Sequence, residues 1–436
     1  MVTRIANNSL AATCLLVIAF APPAVADEPP ESIHDLELPE VSIRDPEGSL
    51  EPFFEALAEL EEKESDRIVR AVFFGSSEIG YDRVTSQMRR RLQARFGDGG
   101  KGFVMVAPGF RHTRHRDVIW RQDGWQGFSV RFGRRPDGRY GYGGNLAVSE
   151  EPDAWATYET VAPDAGREAG YHPFASGSRF ARFALWYQAH PAGGGLTIRF
   201  DPDRPASKTR TLSTRSDRSE DRVLEVGLED GPHQVRLDSA GDGELRLYGV
   251  VLERTRGFVL DAAMVVGAWG RTHLHFDPEH LEKQMSMRGP DLVVFQYGAK
   301  EVFKVPGLDE AYLREFVRDF TRSVERTLAG VPQAACLIVS SKDMGVRRDE
   351  KIITRPALKK VVRGAEEVAG RTGCAFFNLY QAMGGEGSLD RWWRHEPRLV
   401  SPDLGHYHDA GAIQVGDILT DALLEAYRKH RESPEG

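Results

Sequence analysis

The sequence predicts an α/β protein, a three-layer α/β/α sandwich around a central parallel sheet, interrupted by an inserted β-sandwich domain. Two stretches, residues 50–109 and 257–430, alternate strand and helix patterns. This alternation is typical of a parallel sheet with helices on both faces. Between them, residues 110–256 show no convincing helical pattern and contain short alternating strands separated by turns. Such a stretch is typical of a β-sandwich or jelly roll.

The first α/β stretch opens with a helix pattern over 52–62, with Phe53, Leu57 and Leu60 on one face. A strand pattern over 67–75 ends in Gly75, and a helix pattern covers 81–96. The apolar run 103–106 follows and is expected to be the second strand of the parallel sheet, which would complete a βαβ unit.

In the insertion, Leu196, Ile198 and Phe200 alternate with polar residues, which predicts a strand with one buried face. The insertion is also rich in aromatic residues: Trp120, Trp125, Tyr140, Tyr142, Trp155 and Trp186. These fill a sandwich core or, if exposed, stack on sugar rings. A basic cluster over 111–116 is interpreted as a solvated loop, with an acidic glycan as the alternative ligand.

The second α/β stretch contains the apolar run 291–297, which is suited to a central parallel strand. The remaining elements are predicted in order as helix 308–328, strand 335–340, helix 356–369, strand 374–377 and helix 410–427. Cys336 and Cys374 both lie in strand-like runs, so a disulfide and two buried free thiols are equally compatible with the sequence.

The N-terminus has the pattern of a secretory signal peptide over residues 1–26. Arg4 precedes an apolar run that is short for a membrane span, and Ala24-Val25-Ala26 forms a cleavage pattern. Residues 27–49, rich in proline and acidic residues, are interpreted as a linker. These features predict an exported, periplasmic or extracellular protein with no membrane span after signal removal; an uncleaved anchor is the alternative.

The bulk composition is that of a soluble globular protein. The chain has 436 residues, 28% of them charged, and a formal net charge of -8. No basic field for nucleic acid is evident, so nucleic acid is not expected as a partner. The length suggests two domains or one large one.

Four short segments follow strands or precede the last helix. They are Gly75-Ser76-Ser77-Glu78, Gly267-Ala268, Tyr297-Gly298-Ala299-Lys300-Glu301 and Asp403-Leu404-Gly405-His406. In this order, and with the stretch RRLQARFGDGGKGFV at 90–104, the chain resembles the SGNH (GDSL-like) hydrolase family. The resemblance implies a flavodoxin-like α/β/α fold, in a secreted subset with β insertions.

The resemblance also implies roles. Ser77 stands at the family's nucleophile position, His406 at the general base and Asp403 at the carboxylate that orients it. Gly267 and Lys300 stand where the family places oxyanion donors. No metal ion or organic cofactor is implied.

The chain departs from the family at three positions. The family's Asp beside the nucleophile is Ser76, its Asn among the oxyanion donors is Lys300, and a common His after the nucleophile is Glu78. Lys300 is expected to donate to the oxyanion or to form an ion pair with Glu78, which would point to a repurposed or silent site.

The function expected from the resemblance is that of an exported serine esterase. It would remove O-acetyl groups from a carbohydrate or peptidoglycan through an acyl-enzyme. An acylated glycan is therefore the expected partner. The altered positions keep three alternatives open: a catalytically impaired glycan-binding relative, a carbohydrate O-acetyltransferase, and a structural envelope protein.

Overall fold

A computed structural model of the chain describes residues 36–62, 66–166, 170–205, 207–305 and 307–432. The predicted signal peptide and residues 27–35 of the predicted linker lie outside these ranges. Within the described ranges, no helix combines the length and the apolar character needed to cross a membrane.

The helices and strands are numbered separately in chain order. The helices are α1 Glu51–Glu61, α2 Arg83–Phe96, α3 Pro278–Arg288, α4 Ala299–Lys304, α5 Glu310–Leu328, α6 Leu358–Thr372, α7 Leu379–Ala382, α8 Ser388–Arg394 and α9 Asp409–Glu432. The strands are β1 Ile68–Gly75, β2 Gly100–Val104, β3 Ile119–Asp123, β4 Gln126–Ser129, β5 Asn145–Ser149, β6 Trp155–Glu159, β7 Phe180–Ala189, β8 Gly195–Phe200, β9 Lys208–Ser213, β10 Glu220–Gly231, β11 Gln234–Ser239, β12 Leu245–Glu253, β13 Gly257–Met264, β14 Leu292–Gln296, β15 Ala335–Val339, β16 Gly345–Arg348, β17 Lys351–Thr354 and β18 Ala375–Phe377.

The central sheet is parallel and has the order β13-β1-β14-β15-β18. Its strands are short apolar runs that are buried almost throughout, as expected for a sheet covered on both faces. Helices α1, α2 and α9 pack together as one layer, and α3, α5 and α6 as the other. This confirms the predicted α/β/α architecture.

The insertion is a sandwich of two antiparallel sheets. One has the order β10-β7-β12-β5-β4 with β2 paired to β12, and the other is β3-β6-β11-β8-β9. Leu196, Ile198 and Phe200 point into the core between the sheets, as their alternation predicts. Of the predicted aromatic candidates, Trp125, Tyr140, Tyr142 and Trp186 are buried, so packing accounts for them.

The prediction that the run 103–106 joins the parallel sheet is wrong. The strand there is β2, and it pairs antiparallel with β12, with Val104 opposite Val250. The second parallel strand is instead β13, which pairs with β1 along its whole length. A short apolar run has the same pattern in either sheet, so the sequence alone could not assign it.

A cluster of buried charges lies where the two domains meet. We call Arg70, Glu253, Asp261 and Arg288 the junction cluster. Arg288 donates to Glu253 and Asp261 at 2.6 Å each, and Arg70 donates to both oxygens of Glu253 at 2.9 and 3.0 Å. Burial acts to raise the pKa of Glu253, but Arg288 and Arg70 outweigh it and lower that pKa to about 2.

Cys336 and Cys374 form a disulfide, with their Cα atoms 4.7 Å apart. Cys336 lies in β15, and Cys374 immediately precedes β18, its neighbour in the sheet. The structure thus selects one of the two arrangements that the sequence allowed.

Candidate active site

The turn after β1 carries Ser77. In order of appearance the parallel strands are arranged 2-1-3-4-5, so the carboxyl end of β1 lies at the point where the strand order reverses, a common ligand site in such sheets. The turn is compact: Ile79 N–H donates to the Ser76 carbonyl at 3.3 Å, and Gly80 N–H to that of Ser77 at 3.2 Å. A Cβ at Gly75 would lie 2.9 Å from the Ile79 side chain, so a larger residue at the strand exit would have to displace Ile79.

The loop between α8 and α9 carries Asp403 and His406. One carboxylate oxygen of Asp403 accepts the backbone N–H groups of Gly405 and His406, both at 3.1 Å. Leu404 is held in the left-handed region at φ 54°. These bonds fix the direction in which the imidazole leaves the loop.

The structure brings the three predicted catalytic side chains together, although His406 lies 329 positions after Ser77. His406 Nε2 is 2.9 Å from Ser77 Oγ, and His406 Nδ1 is 2.5 Å from Asp403 Oδ2. The hydrogen bond from His406 lowers the pKa of Asp403 to about 2, so the carboxylate is ionised at neutral pH. This geometry can transfer the serine proton to the imidazole.

The backbone N–H groups of Ser77 and Gly267 have no acceptor among the described residues. Their strands are neighbours, because Gly75 is in register with Met264 and its carbonyl accepts Val265 N–H at 3.0 Å. Both N–H groups therefore leave the same sheet edge, as an oxyanion site requires. Arg131, from the insertion, donates to the Gly267 carbonyl at 3.1 Å.

Lys300 lies in the short helix α4, which follows β14, the other neighbour of β1 in the sheet. It is partly buried, and its side chain forms no hydrogen bond within the described residues. Burial and the neighbouring cations Lys304 and Arg131 lower its pKa. Lys300 thus shares the neighbourhood of Arg131, on the Gly267 side of the site.

The expectation that Glu78 pairs with Lys300 is wrong. Glu78 Oε1 instead accepts from Lys342 Nζ at 3.1 Å, and both side chains are buried. Lys342 Nζ also lies 4.8 Å from the centroid of the Tyr407 ring. The pair therefore links the turn that carries Ser77 to the residue that follows His406.

Lys342 was not identified from the sequence. It lies in the loop after β15, in the polar run 340–343 at the carboxyl end of a central strand. This position after a central strand was the only sign in the sequence that Lys342 could belong to the site. Ser76, at the position of the Asp in the family that the chain resembles, is buried and contributes no charge, so the ion pair beside Ser77 is formed by Glu78.

A second buried carboxyl group supports the Gly267 loop. Glu301 accepts the N–H of Gly270 at 2.9 Å, and burial raises its pKa to about 7. The second carboxyl oxygens of both Glu301 and Glu78 have no partner among the described residues. We call Glu78, Glu301 and Lys342 the site group.

A cavity of about 490 Å³ opens at Ser77 and His406. It is lined by Ser77, Glu78, Gly80, Tyr81, Arg83, Phe110, His112, Val266, Ser401, Asp403, His406, Tyr407, His408 and Ala412. Phe110 and His112 come from the start of the insertion, so both domains form the wall. His112 Nδ1 is 3.0 Å from the Tyr81 hydroxyl, and Phe110 stacks on Phe132 with ring centroids 4.8 Å apart.

The predicted basic cluster at 111–116 divides in the structure. His115 is buried and Arg116 pairs with Asp409, whereas Arg111 and Arg114 are exposed. Within the described part of the chain, no group of His, Cys, Asp and Glu side chains is arranged to hold a metal ion.

No family model and no curated protein matches the chain. A solved structure of a peptidoglycan O-acetylesterase is similar with a TM-score of 0.70 and 21% identity, covering 87% of this chain and 96% of that one. A carbohydrate esterase family 2 enzyme with a carbohydrate binding domain from Corynascus thermopiles (Myceliophthora fergusii) has a TM-score of 0.30 and 10% identity, covering 71% and 99%. The first similarity confirms the SGNH-type fold, and its coverage extends over the insertion.

Proposed function

We propose that this chain is an exported serine esterase that removes O-acetyl groups from a glycan through an acyl-enzyme. The observation that carries the proposal is the hydrogen-bonded series Ser77 Oγ, His406 Nε2 and Nδ1, Asp403 Oδ2 at the mouth of a cavity. The signal-peptide pattern of the sequence supports export.

In the first step, Ser77 Oγ attacks the acetyl carbon as His406 Nε2 takes its proton. The tetrahedral oxyanion would accept hydrogen bonds from the N–H groups of Ser77 and Gly267, which have no acceptor among the described residues. Asp403 holds His406 with Nε2 toward the serine and stabilises the imidazolium. The tetrahedral intermediate then collapses and the ester bond breaks. His406 gives its proton to the departing sugar oxygen, which leaves as a hydroxyl group.

In the second step, water attacks the acetyl-serine. His406 accepts the water proton and delivers it to Ser77 Oγ as acetate leaves. The products are one acetate and one free sugar hydroxyl. An acceptor hydroxyl in place of water would give transfer, so the products distinguish the two reactions.

The altered signature positions are compatible with this chemistry. Glu78 pairs with Lys342 rather than with Lys300, so Lys300 has no carboxylate partner among the described residues. A positive charge there would stabilise the oxyanion electrostatically in place of the family's Asn. The choice of a glycan acetyl ester rests on the similarity to a peptidoglycan O-acetylesterase that spans both domains.

The test is acetate release from O-acetylated peptidoglycan, together with hydrolysis of 4-nitrophenyl acetate, by the chain from Asp27 and by Ser77→Ala. We expect Ser77→Ala to lower kcat/KM by about 1000-fold or more, since the nucleophile is lost. Ser76→Ala is the matched control, because the adjacent hydroxyl has no assigned role. Equal turnover by Ser77→Ala and the unchanged chain would refute the proposal.

A further inference from the structure

Several cations around the active site have no carboxylate partner among the described residues. We call Arg111, Arg131, Arg134, Lys300, Lys304 and Arg355 the cationic rim. All six are at least partly exposed, and none forms an ion pair with a carboxylate of the described residues. The rim therefore keeps its positive charge although the chain as a whole has a net charge of -8.

Contacts with site residues place three members of the rim beside the cavity. Arg131 bonds the Gly267 carbonyl, and Arg111 Nε lies 3.0 Å from His112, a cavity wall residue. On the other side, Arg355 lies over the Phe303 ring at 4.5 Å. That ring packs against the catalytic loop, because a Cβ at Gly405 would lie 2.1 Å from it.

The charges of the rim act on one another. Burial and then Lys304 and Arg131 lower the pKa of Lys300. Burial and then a set of arginines that includes Arg134 and Arg131 lower the pKa of His275 to about 4. Like charges repel, and a bound anion would relieve this repulsion.

Two other cations near the cavity do have a carboxylate partner: Arg83 and Arg116 both pair with Asp409, at 2.6 and 3.2 Å. The charge of these two arginines is balanced within the protein, so they are not part of the rim. An anionic ligand would be attracted to the unpaired cations of the rim instead.

Between Arg111 and Arg131 lie two stacked aromatic rings, Phe110 and Phe132, both partly exposed. Arg131 lies over the Phe132 ring at 5.0 Å, and a Cβ at Gly267 would lie 3.5 Å from the same ring. An apolar platform flanked by cations suits a sugar ring that bears an acidic group.

We propose that the glycan acted on by this site is a polyanion, and that the cationic rim binds carboxylate or phosphate groups on sugars beside the acetylated one. The proposal rests on the proposed function, which it extends from an acetylated glycan to an acetylated acidic glycan. The rim would hold the polymer so that one acetyl group reaches Ser77.

Binding is measured with the Ser77→Ala variant, which leaves the acetyl esters of the polymer unhydrolysed and keeps the rim intact. The probes are O-acetylated polygalacturonate and O-acetylated xylan of equal acetyl content, titrated calorimetrically. We expect the acidic polymer to bind at least about tenfold more tightly at about 20 mM NaCl, and within about twofold of xylan at about 300 mM, because salt screens exposed charges.

Two charge-matched variants in the same background localise the effect. Arg134→Gln with Lys304→Gln should reduce the preference for the acidic polymer by about fivefold or more at low salt. Lys208→Gln with Arg210→Gln removes the same charge from exposed residues of β9, at the edge of the insertion's other sheet, and should leave the preference unchanged.

Equal affinity for the two polymers, or an equal loss in the two double variants, would overturn the rim proposal. Acetate release by the unchanged chain is measured in parallel. Charge-selective binding without Ser77-dependent acetate release retains the rim and refutes the esterase. Acetate release without charge selectivity retains the esterase and refutes the rim.

Discussion

Glu253 in the junction cluster and Glu301 in the site group are both buried glutamates, yet their pKa values move in opposite directions. Arg288 and Arg70, acting against burial, lower the pKa of Glu253 to about 2, whereas burial raises that of Glu301 to about 7. Both oxygens of Glu253 accept from arginines, and Glu301 has one oxygen without a partner. The difference shows that burial alone does not set the charge of a carboxyl group; its donors do.

The two regions accordingly differ in their effect on stability. The lowered pKa of Glu253 stabilises the fold above the unfolded value of 4.5, and that stabilisation is lost as pH falls toward 2. The raised pKa of Glu301 acts with the opposite sign: stability falls as pH rises from 4.5 toward 7, because only the folded state still holds the proton.

The largest effect is expected from Arg288→Met, which tests whether arginine donors keep the junction carboxylates ionised. The substitution leaves Glu253 and Asp261 buried with a lost partner, so we expect the free energy of unfolding at pH 7 to fall by about 5 kcal/mol. Urea unfolding measures this change. Lys283→Met, at an exposed position of the same helix α3, is the control and should cost less than about 1 kcal/mol. A similarly small cost for Arg288→Met would show that Arg288 does not stabilise the buried carboxylates of the junction cluster.

Lys342→Met should leave the buried carboxylate of Glu78 without its ion-pair partner. We therefore expect the free energy of unfolding at pH 7 to fall by about 4 kcal/mol, measured by urea unfolding. Adding Glu78→Gln removes the unpaired charge and should recover most of the loss. If the double variant were no more stable than the single one, the pair would not be the source of the effect.

The smallest change is expected from Glu301→Gln, which mimics the protonated acid and keeps an acceptor for Gly270. We expect no change in stability near pH 4 and a gain of about 3 kcal/mol at pH 8, where the native carboxyl group must ionise without a cation partner. Thermal unfolding across this pH range measures the difference. A gain that does not vary with pH would show that the Glu301 charge is not responsible.

The sequence predicted what local patterns encode. The strand that ends at Gly75, the helix over 81–96 and the final helix all form close to their expected bounds, because apolar periodicity and glycine punctuation specify them. The order of the four signature segments also identified Ser77, Asp403 and His406 as a group, but that order gives no distances between them.

What could not be predicted depends on contacts between distant segments. Strand β2 joins the insertion, although its apolar pattern suits either sheet. The partner of Glu78 is Lys342, 264 positions away, and no local motif links them. The rim likewise combines residues of both domains. These residues are far apart in the sequence, and no local motif indicates that their charges lie near one site.

The chain enters and leaves the insertion at nearly the same point. Asp98 bridges to Phe258, Gly99 N–H donates to the Phe258 carbonyl at 3.1 Å, and Arg254 N–H to that of Gly99 at 2.8 Å. A segment whose two ends touch can be gained, lost or exchanged without altering the spacing of the elements on either side. The sandwich is therefore joined to the parallel-sheet domain at a single place, and its length and sequence could change without moving the strands that position Ser77 and His406.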